Sequence, residues 1–283
     1  MAFYSNYKNV LVDKKDGITT VTLNRPEKRN AMSPDLDEEM LDCILNLEAD
    51  AETLVVVLTG AGPAWCAGMD LKLYFRELEG DPANAAKHVR TEWATHQWRW
   101  HRLYNFPKPT IAMVNGFCFG GAFTQLVACD FAIAANSATF GLSEVNWGVI
   151  PGGLVSKAFN AAVNYRDALY YSITGKPFQG PEAVRMGLIN ESVPDERLHD
   201  EVMILARQLA SLNPEAVRAT KQAIKATREM TIEQAHEYLI AKNGQLSHRD
   251  REGGYYQGIS KFIDAKAYRP GLEPYPRDKA DNV

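Results

Sequence analysis

The sequence predicts an α/β fold in which helices connect the strands of a largely parallel sheet, followed by a helical C-terminal region. Apolar runs at residues 54–58, 110–114 and 131–134 have the length and composition of buried strands. Helical patterns lie between these runs, and such alternation is typical of layered folds with crossover connections. From about Pro151 onward the pattern becomes helical. These observations place the predicted strands before Pro151.

The N-terminal part predicts a β-hairpin followed by an amphipathic helix. Residues 10–23 form two apolar runs joined across Lys14-Lys15-Asp16-Gly17, which is a turn signal. Ser33-Pro34 then begins a helix, with serine as the N-cap and proline at the first helical position. Apolar side chains recur along this helix at intervals of three or four residues, which predicts one buried face: Leu36, Met40, Ile44 and Leu47.

Later helices are predicted from the same periodicity. The aromatic residues Trp93, Trp100 and Tyr104 fall on one face of a helix, and a position in the core is the simpler interpretation than a pocket lining. Three helices are expected at 198–212, 214–229 and 232–262, with a break and a new helix start at Asn213-Pro214. Since no linker-like stretch divides the chain, we expect a core domain over residues 1–195 and a helical region over 196–283.

Composition and motifs exclude several function classes. Hydrophobic residues make up 46% of the chain and charged residues 23%, as in ordinary folded proteins, and the net charge is −4. A mildly acidic chain is a poor match for nucleic acid or an anionic membrane. The sequence contains no P-loop, no G-x-G-x-x-G for a dinucleotide and no G-x-S-x-G nucleophile elbow. No cofactor is therefore predicted from these motifs.

The N-terminus and the cysteines indicate a cytoplasmic protein. The first residues contain no apolar signal core, and no run of 18 apolar residues could cross a membrane. The cysteines show no metal-like spacing and lie among apolar neighbours, so reduced and buried thiols are expected: Cys43, Cys66, Cys118 and Cys129. The six histidines form no ligand motif, and we predict no metal site.

Two glycine-rich turns are the most informative motifs. Each follows a predicted strand, the first as Trp65-Cys66-Ala67-Gly68-Met69-Asp70 and the second as Phe119-Gly120-Gly121-Ala122. Glycine lets backbone approach a ligand closely, so two converging turns could aim two N–H groups at one oxygen, as an oxyanion hole does. A carboxylate, Glu144, follows in the stretch Phe140-Gly141-Leu142-Ser143-Glu144. By themselves, such glycines more often permit close strand–helix packing, and Glu144 would be interpreted as a surface carboxylate on a loop.

In combination, these motifs resemble the crotonase (enoyl-CoA hydratase/isomerase) superfamily, from about Val10 to about Pro270. The resemblance is carried by four stretches in the family's order: Leu23 to Ala31, Cys66 to Leu71, Asn115 to Gly121 and Thr139 to Gly148. It implies a crotonase-like spiral of ββα units with a C-terminal helical trimerisation layer, and hence a homotrimer or a dimer of trimers.

The resemblance also implies roles for individual residues. The N–H groups of Met69 and Gly121 would form the oxyanion hole, with Gly68 and Gly120 shaping the turns. Glu144 matches one of the two acid/base glutamates of enoyl-CoA hydratases, whereas Thr124 stands where the second would be. Coenzyme A would be part of the substrate and not a cofactor, with Lys28 near its nucleotide end and Ala67 and Leu71 along its path.

Several phrases are similar to one branch of the superfamily, the hydroxycinnamoyl-CoA (feruloyl-CoA) hydratase-lyases. They include Gly68-Met69-Asp70-Leu71-Lys72, the stretch Leu142 to Gly148, and Leu154-Val155-Ser156-Lys157-Ala158. That branch implies that Tyr74 contacts the phenolic oxygen of the substrate. Its second phenol-contacting tyrosine would fall on Ile240, with Tyr238 half a turn away. Ser143 and Trp147, beside Glu144, complete the expected substrate contacts.

The resemblance implies a lyase that hydrates a hydroxycinnamoyl-CoA such as feruloyl-CoA, p-coumaroyl-CoA or caffeoyl-CoA. Retro-aldol cleavage would then give an aromatic aldehyde of the vanillin type and acetyl-CoA, as in phenylpropanoid degradation. An enoyl-CoA hydratase or isomerase without lyase activity is the enzymatic alternative. An RNA-binding crotonase homologue is the alternative from another class, and the acidic net charge disfavours it.

Overall fold

The structure is a computed structural model that describes residues 7–277. The strands in this part of the chain are short and form two sheets. In chain order they are β1 (Val10–Lys15), β2 (Ile18–Leu23), β3 (Val55–Gly60), β4 (Ala64–Cys66), β5 (Thr110–Val114), β6 (Phe117–Phe119), β7 (Phe131–Ala135), β8 (Thr139–Gly141), β9 (Phe178–Gln179) and β10 (Glu191–Val193). The larger sheet has the order β1-β2-β3-β5-β7-β10 and the smaller one β4-β6-β8-β9. Apart from the antiparallel pairs β1–β2 and β8–β9, neighbouring strands are parallel.

The helices account for most of the remaining regular structure. They are α1 (Pro34–Ala49), α2 (Ala85–His96), α3 (Ala122–Ala128), α4 (Val155–Ala162), α5 (Tyr165–Thr174), α6 (Gly180–Met186), α7 (Leu198–Ser211), α8 (Pro214–Thr227), α9 (Ile232–Arg249) and α10 (Gly254–Ile263). Two π-helical segments, Lys72–Leu78 and Gln97–Arg102, lie before and after α2.

A repeated ββα unit explains the two sheets. Three successive units are β3-β4-α2, β5-β6-α3 and β7-β8-α4. The first strand of each unit pairs in the larger sheet and the second strand pairs in the smaller one. The predicted spiral of ββα units is thereby confirmed. Because each unit ends its second strand at the same edge, the turns that follow β4, β6 and β8 are brought together.

Local sequence signals account for the element boundaries in the N-terminal part. The predicted hairpin is present, with β1 and β2 paired from Val10–Leu23 to Lys15–Ile18. The predicted helix begins at Pro34, where the Ser33 hydroxyl accepts a hydrogen bond from the Leu36 N–H at 3.3 Å. Its apolar face is buried as expected, and the four cysteines are buried and form no disulfide bond with one another.

The prediction that Trp93, Trp100 and Tyr104 share one buried helix face is wrong for Trp93. Trp93 is 58% exposed, whereas Trp98, which the helical spacing did not select, is completely buried. The π-helical segment Gln97–Arg102 explains the difference, because its wider turn rotates the following side chains relative to an α-helical face. Trp100 and Tyr104 stack on each other, with ring centroids 4.8 Å apart.

The chain forms two compact units. The first comprises the residues up to Phe106 together with Thr110–Ala206, and the second comprises Pro107–Pro109 and the residues from Arg207 onward. The division that we predict at residue 195 stays a prediction. None of the helices within residues 7–277 has the length and apolar character needed to span a bilayer.

The helical unit differs from prediction at one point. The single helix expected over 232–262 is two helices, α9 and α10. The chain turns after Arg249, where the Asp250 carboxylate accepts hydrogen bonds from the Gly254 N–H at 2.6 Å and from Asn213 Nδ2 at 3.0 Å. The break predicted at Asn213-Pro214 is confirmed, since Asn213 caps α8.

Candidate active site

The first glycine turn leaves the Met69 N–H without a backbone acceptor among the described residues. Gly68 has a φ of +89°, which favours glycine. Residues 32 and 69 form a parallel bridge, in which the Met32 N–H donates to Gly68 O and the Asp70 N–H donates to Met32 O, both at 2.8 Å. In such a bridge the N–H of Met69 points away from Met32. No backbone hydrogen bond within residues 7–277 uses it.

The second glycine turn lies directly against the first. Gly120 has a φ of +51°, and its N–H donates to Gly141 O at 3.0 Å. Gly121 follows as the N-cap of α3. A Cβ on Gly68 would lie 2.7 Å from Phe119 O and 3.4 Å from Gly121 N. Only glycine permits this approach. Within the described chain no backbone bond uses the Gly121 N–H either, so both N–H groups are available to one acceptor.

Glu144 lies beside these turns. It begins a short 3-10 helix, Glu144–Trp147, immediately after β8, and only 8% of its surface is exposed. A Cβ on Gly120 would lie 3.0 Å from Glu144 Oε1 and 3.9 Å from Oε2, and Oε2 has no hydrogen-bond partner among the described residues. Burial raises the pKa of Glu144 above its usual value. A carboxyl with a raised pKa can both accept and return a proton near neutral pH.

Thr124 lies three residues after Gly121, behind the second glycine turn. It lies in α3, is 2% exposed, and its Oγ1 has no hydrogen-bond partner within the described residues. A buried hydroxyl without a partner is uncommon and is open to a water molecule or a substrate oxygen. It is also a poor general base, so the proton-transfer chemistry of this region depends on Glu144.

Tyr74 is held in a buried polar network that the sequence analysis did not identify. Its side chain is 3% exposed, and its hydroxyl donates to Asp37 Oδ2 at 2.5 Å and contacts the Thr95 hydroxyl. Thr95 also donates to Asp37 Oδ2 at 2.9 Å, and Trp98 Nε1 donates to Oδ1 at 2.6 Å. Burial raises the pKa of Asp37, and the positive charge of Arg99 offsets this only in part.

The predicted coenzyme A contacts lie on the approach to the first turn. Lys28 is exposed in the 3-10 turn Pro26–Lys28. This turn is tied to the glycine turn by the Ala67 N–H, which donates to Arg29 O at 3.0 Å, and by an Arg25–Asp70 ion pair at 3.0 Å. Leu71 follows on the surface, 51% exposed.

Trp147, at the end of the short helix that begins at Glu144, packs against an aromatic side chain of the Lys72–Leu78 segment. Trp147 is 49% exposed, and its ring meets Phe75 edge to face, with centroids 6.4 Å apart. Ser143 is half-buried directly before Glu144. This contact brings the Lys72–Leu78 segment and the Glu144–Trp147 helix together, and the role of Ser143 and Trp147 in substrate binding stays a prediction.

Tyr238 and Ile240 lie in the second compact unit, on α9. Tyr238 is half-buried, with Lys242 Nζ 5.3 Å from its ring centroid, and Ile240 is 61% exposed. Their contribution to substrate binding stays a prediction.

Comparison with known proteins agrees with this geometry. The family model for enoyl-CoA hydratase/isomerase matches residues 13–267. A hydroxycinnamoyl-CoA hydratase-lyase of Pseudomonas fluorescens is 53% identical over 97% of this chain and 99% of its own length. A putative enoyl-CoA hydratase of Thermus thermophilus is 32% identical over 90% of this chain and 98% of its own length.

A solved structure shows the same fold. The crystal structure of an enoyl-CoA hydratase from Bacillus anthracis superimposes with a TM-score of 0.81 at 28% identity, covering 97% of this chain and 100% of that one. With the full ββα spiral, the paired glycine turns and the family match, the chain belongs to the enoyl-CoA hydratase/isomerase family.

Proposed function

We propose that the protein is a lyase that hydrates hydroxycinnamoyl-CoA thioesters and then cleaves them to an aromatic aldehyde and acetyl-CoA. The observation that carries this proposal is the 53% identity, over 97% of the chain, to a hydroxycinnamoyl-CoA hydratase-lyase. The site supports it, because one buried carboxyl, Glu144, lies beside two glycine turns whose N–H groups have no backbone acceptor in the described chain.

The first step adds water across the Cα=Cβ bond. The ionised Glu144 removes a proton from water as the oxygen attacks Cβ, and electron density moves to the thioester oxygen. The N–H groups of Met69 and Gly121 stabilise that oxygen, an interaction that contributes roughly 3–4 kcal/mol per donor in acyl-transfer enzymes. Glu144 then returns the proton to Cα, which gives the β-hydroxy thioester.

The second step reverses an aldol addition. Glu144 removes the proton of the β-hydroxyl, the Cα–Cβ bond breaks, and the aldehyde leaves. The electron pair again rests on the thioester oxygen as the enolate of acetyl-CoA, which takes the proton back from Glu144 at Cα. Each step removes one proton and returns one, so a single carboxyl suffices although Thr124 replaces the second glutamate.

The aromatic ring is held by a different set of groups. Tyr74 donates its proton to Asp37, so its oxygen, which also contacts the Thr95 hydroxyl, acts as an acceptor for a hydrogen bond from the para-hydroxyl of the substrate. That hydrogen bond increases electron release toward the benzylic carbon and eases both steps. Ser143 and Trp147 contact the acyl part, and Tyr238 and Ile240 complete the ring contacts.

Coenzyme A and the assembly belong to the same proposal. Lys28 binds near the nucleotide end, Ala67 and Leu71 line the path of the pantetheine arm, and Gly68 and Gly120 shape the turns. Coenzyme A is part of the substrate, and no separate cofactor takes part. The protein works as a homotrimer or a dimer of trimers in the cytoplasm, and light scattering after gel filtration measures that mass.

Product analysis tests the proposed reaction. Purified protein is incubated with feruloyl-CoA, and the aldehyde and acetyl-CoA are quantified by chromatography, with Glu144→Gln as the inactive control. We expect equal amounts of the two products. Accumulation of the β-hydroxy thioester without acetyl-CoA would instead identify a hydratase, and a moved double bond would identify an isomerase. Turnover of crotonyl-CoA at a comparable rate would remove the preference for an aromatic acyl group.

A further inference from the structure

Arg99 lies against both glycine turns. Its Nη1 is 3.4 Å from Gly121 O, 3.4 Å from Met69 Sδ and 3.8 Å from Met32 Sδ. A Cβ on Gly121 would lie only 3.1 Å from the same nitrogen. One guanidinium thus contacts both residues whose N–H groups the proposed reaction uses, although the two are far apart in the sequence.

Among residues 7–277, no carboxylate lies at contact distance from the positive charge of Arg99. Among the ion pairs of residues 7–277, none includes Arg99, and its buried Nε has no hydrogen-bond partner there. Its Nη1 partners are a carbonyl and two thioether sulfurs, and sulfur is a weak acceptor. Arg102, three residues later, is by contrast paired with Glu48 at 3.0 Å.

Asp37, a buried acid that Arg99 influences electrostatically, does not serve as its contact partner. Arg99 acts on Asp37 through space, but the Asp37 oxygens are bonded to Tyr74, Thr95 and Trp98. Keeping a cation half-buried with no carboxylate at contact distance among the described residues is costly for folding alone. A negative charge that forms near the turns during reaction would be stabilised by such a cation, since its position is set in advance.

We infer that Arg99 is a positioning residue for the oxyanion hole, which fixes the Gly121 carbonyl and adds positive potential behind the Met69 and Gly121 N–H groups. This inference rests on the proposed function. Within the π-helical segment Gln97–Arg102, it gives Arg99 an indirect part in stabilising the thioester enolate. The guanidinium acts through its hydrogen bond to the Gly121 carbonyl and through its positive potential near both N–H groups, and it does not contact the substrate.

Three substitutions separate the charge from the hydrogen bond. Arg99→Lys keeps the charge, Arg99→Gln keeps a donor for Gly121 O without charge, and Arg99→Met keeps neither. We expect kcat on feruloyl-CoA to fall about ten- to a hundredfold in the Gln and Met variants and less than about fivefold in the Lys variant, with KM nearly unchanged. Arg102→Met is the matched control, and its kcat should stay within about twofold.

A spectrum distinguishes polarisation of the carbonyl from a structural role. In feruloyl-CoA the ring donates electron density to the thioester carbonyl, so its absorption moves to longer wavelength when that oxygen is stabilised as an anion. We expect a red shift when feruloyl-CoA binds to Glu144→Gln, and at most half of that shift in Glu144→Gln/Arg99→Gln at saturation. The Arg99→Lys double variant should keep most of it.

Several outcomes would overturn the inference. One is an unchanged red shift when Arg99→Gln or Arg99→Met is combined with Glu144→Gln. The others are an Arg99→Gln variant as active as the unsubstituted enzyme, and no red shift in Glu144→Gln with Arg99 in place. None of these outcomes decides the proposed function, which is tested by the formation of aldehyde and acetyl-CoA by the unsubstituted enzyme. If the Met variant does not fold, the Gln and Lys variants still give the answer.

Discussion

The hydroxyl of Tyr74 donates a hydrogen bond of 2.5 Å to Asp37, a carboxyl with no exposed surface. Together with the Thr95 hydroxyl, these groups place three oxygens in mutual contact inside the protein. Burial raises the pKa of both Asp37 and Tyr74, and the neighbouring Asp37 adds to the effect on Tyr74. The orientation of the Tyr74 hydroxyl is therefore set before any substrate arrives.

Tyr74→Phe is expected to slow turnover only for substrates with a para-hydroxyl. A lost hydrogen bond to a group that gains charge is worth roughly 1.5–3 kcal/mol, which corresponds to about ten- to a hundredfold in rate. Initial rates on feruloyl-CoA and p-coumaroyl-CoA measure the effect, with cinnamoyl-CoA as the control substrate. Equal turnover of cinnamoyl-CoA and feruloyl-CoA by the unsubstituted enzyme would exclude assistance by the phenol.

Asp37→Asn is expected to destabilise the protein. The amide would present a donor where Tyr74, Thr95 and Trp98 all donate, so at least one buried donor would lose its acceptor, at a cost of about 1–3 kcal/mol. Urea unfolding measures this difference. Glu38→Gln, which removes a charge from the exposed face of the same helix, should change the free energy of unfolding by less than about 0.5 kcal/mol. Equal stability of the two variants would show that the network contributes little.

Glu144→Ala is expected to lower kcat by about 10²–10⁴-fold while binding of the thioester survives. Glu144 is the carboxyl that lies against Gly120, and a hydroxyl stands at position 124. Single-turnover rates and equilibrium binding of feruloyl-CoA measure the two effects separately, and the exposed Glu191→Gln serves as the control. More than a tenth of the original rate in Glu144→Ala would refute the assignment.

The pH dependence should report the burial of Glu144. Because burial raises its pKa, the carboxyl takes up a proton at a higher pH than an ordinary glutamate, whose value is 4.5. The ionised form is the base, so kcat/KM should fall as the pH decreases through that raised pKa. Rates in overlapping buffers from acidic to neutral pH locate this limb. An acid limb at or below pH 4.5 would contradict the assignment of Glu144 as the base.

Thr124→Ala should be milder than Glu144→Ala, with a loss of less than about tenfold. A buried hydroxyl can position water but is too weak a base to take the proton itself. Steady-state rates on feruloyl-CoA test this, with Thr124→Ser as the variant that keeps the hydroxyl. A loss as severe as that of Glu144→Ala would make Thr124 a direct participant in proton transfer.

The sequence predicts the parts of the site that lie in contiguous motifs. Gly68, Gly120 and Glu144 each follow a short strand, and their motifs contain the signals for the turn as well as for the functional group. The hairpin and the start of α1 are predictable for the same reason, since a turn and an N-cap are local features. The confirmed ββα spiral follows from the motif resemblance.

The remaining parts depend on packing between distant segments. Asp37 and Tyr74 are 37 positions apart, and only the folded chain brings them together. One signal was present, because Asp37 follows Leu36 and shares the buried face with Leu41 and Ile44, where a charge needs a partner. The π-helical turn that places Trp98 and Arg99 has no such signal, and the separation of α9 from α10 depends on the contact between Asp250 and Asn213.

The smaller sheet has a consequence for engineering. The two glycine turns that we propose to bind the carbonyl, and Glu144, the proposed acid/base residue, follow the ends of neighbouring strands, β4, β6 and β8, each in a different structural repeat. A substitution after β8 can therefore alter proton handling without moving the backbone after β4 or β6. Conversely, the side chain at position 124, in α3, can be exchanged while the two glycine turns proposed to bind the thioester stay in place. A family built this way can acquire a new reaction by changing one module at a time.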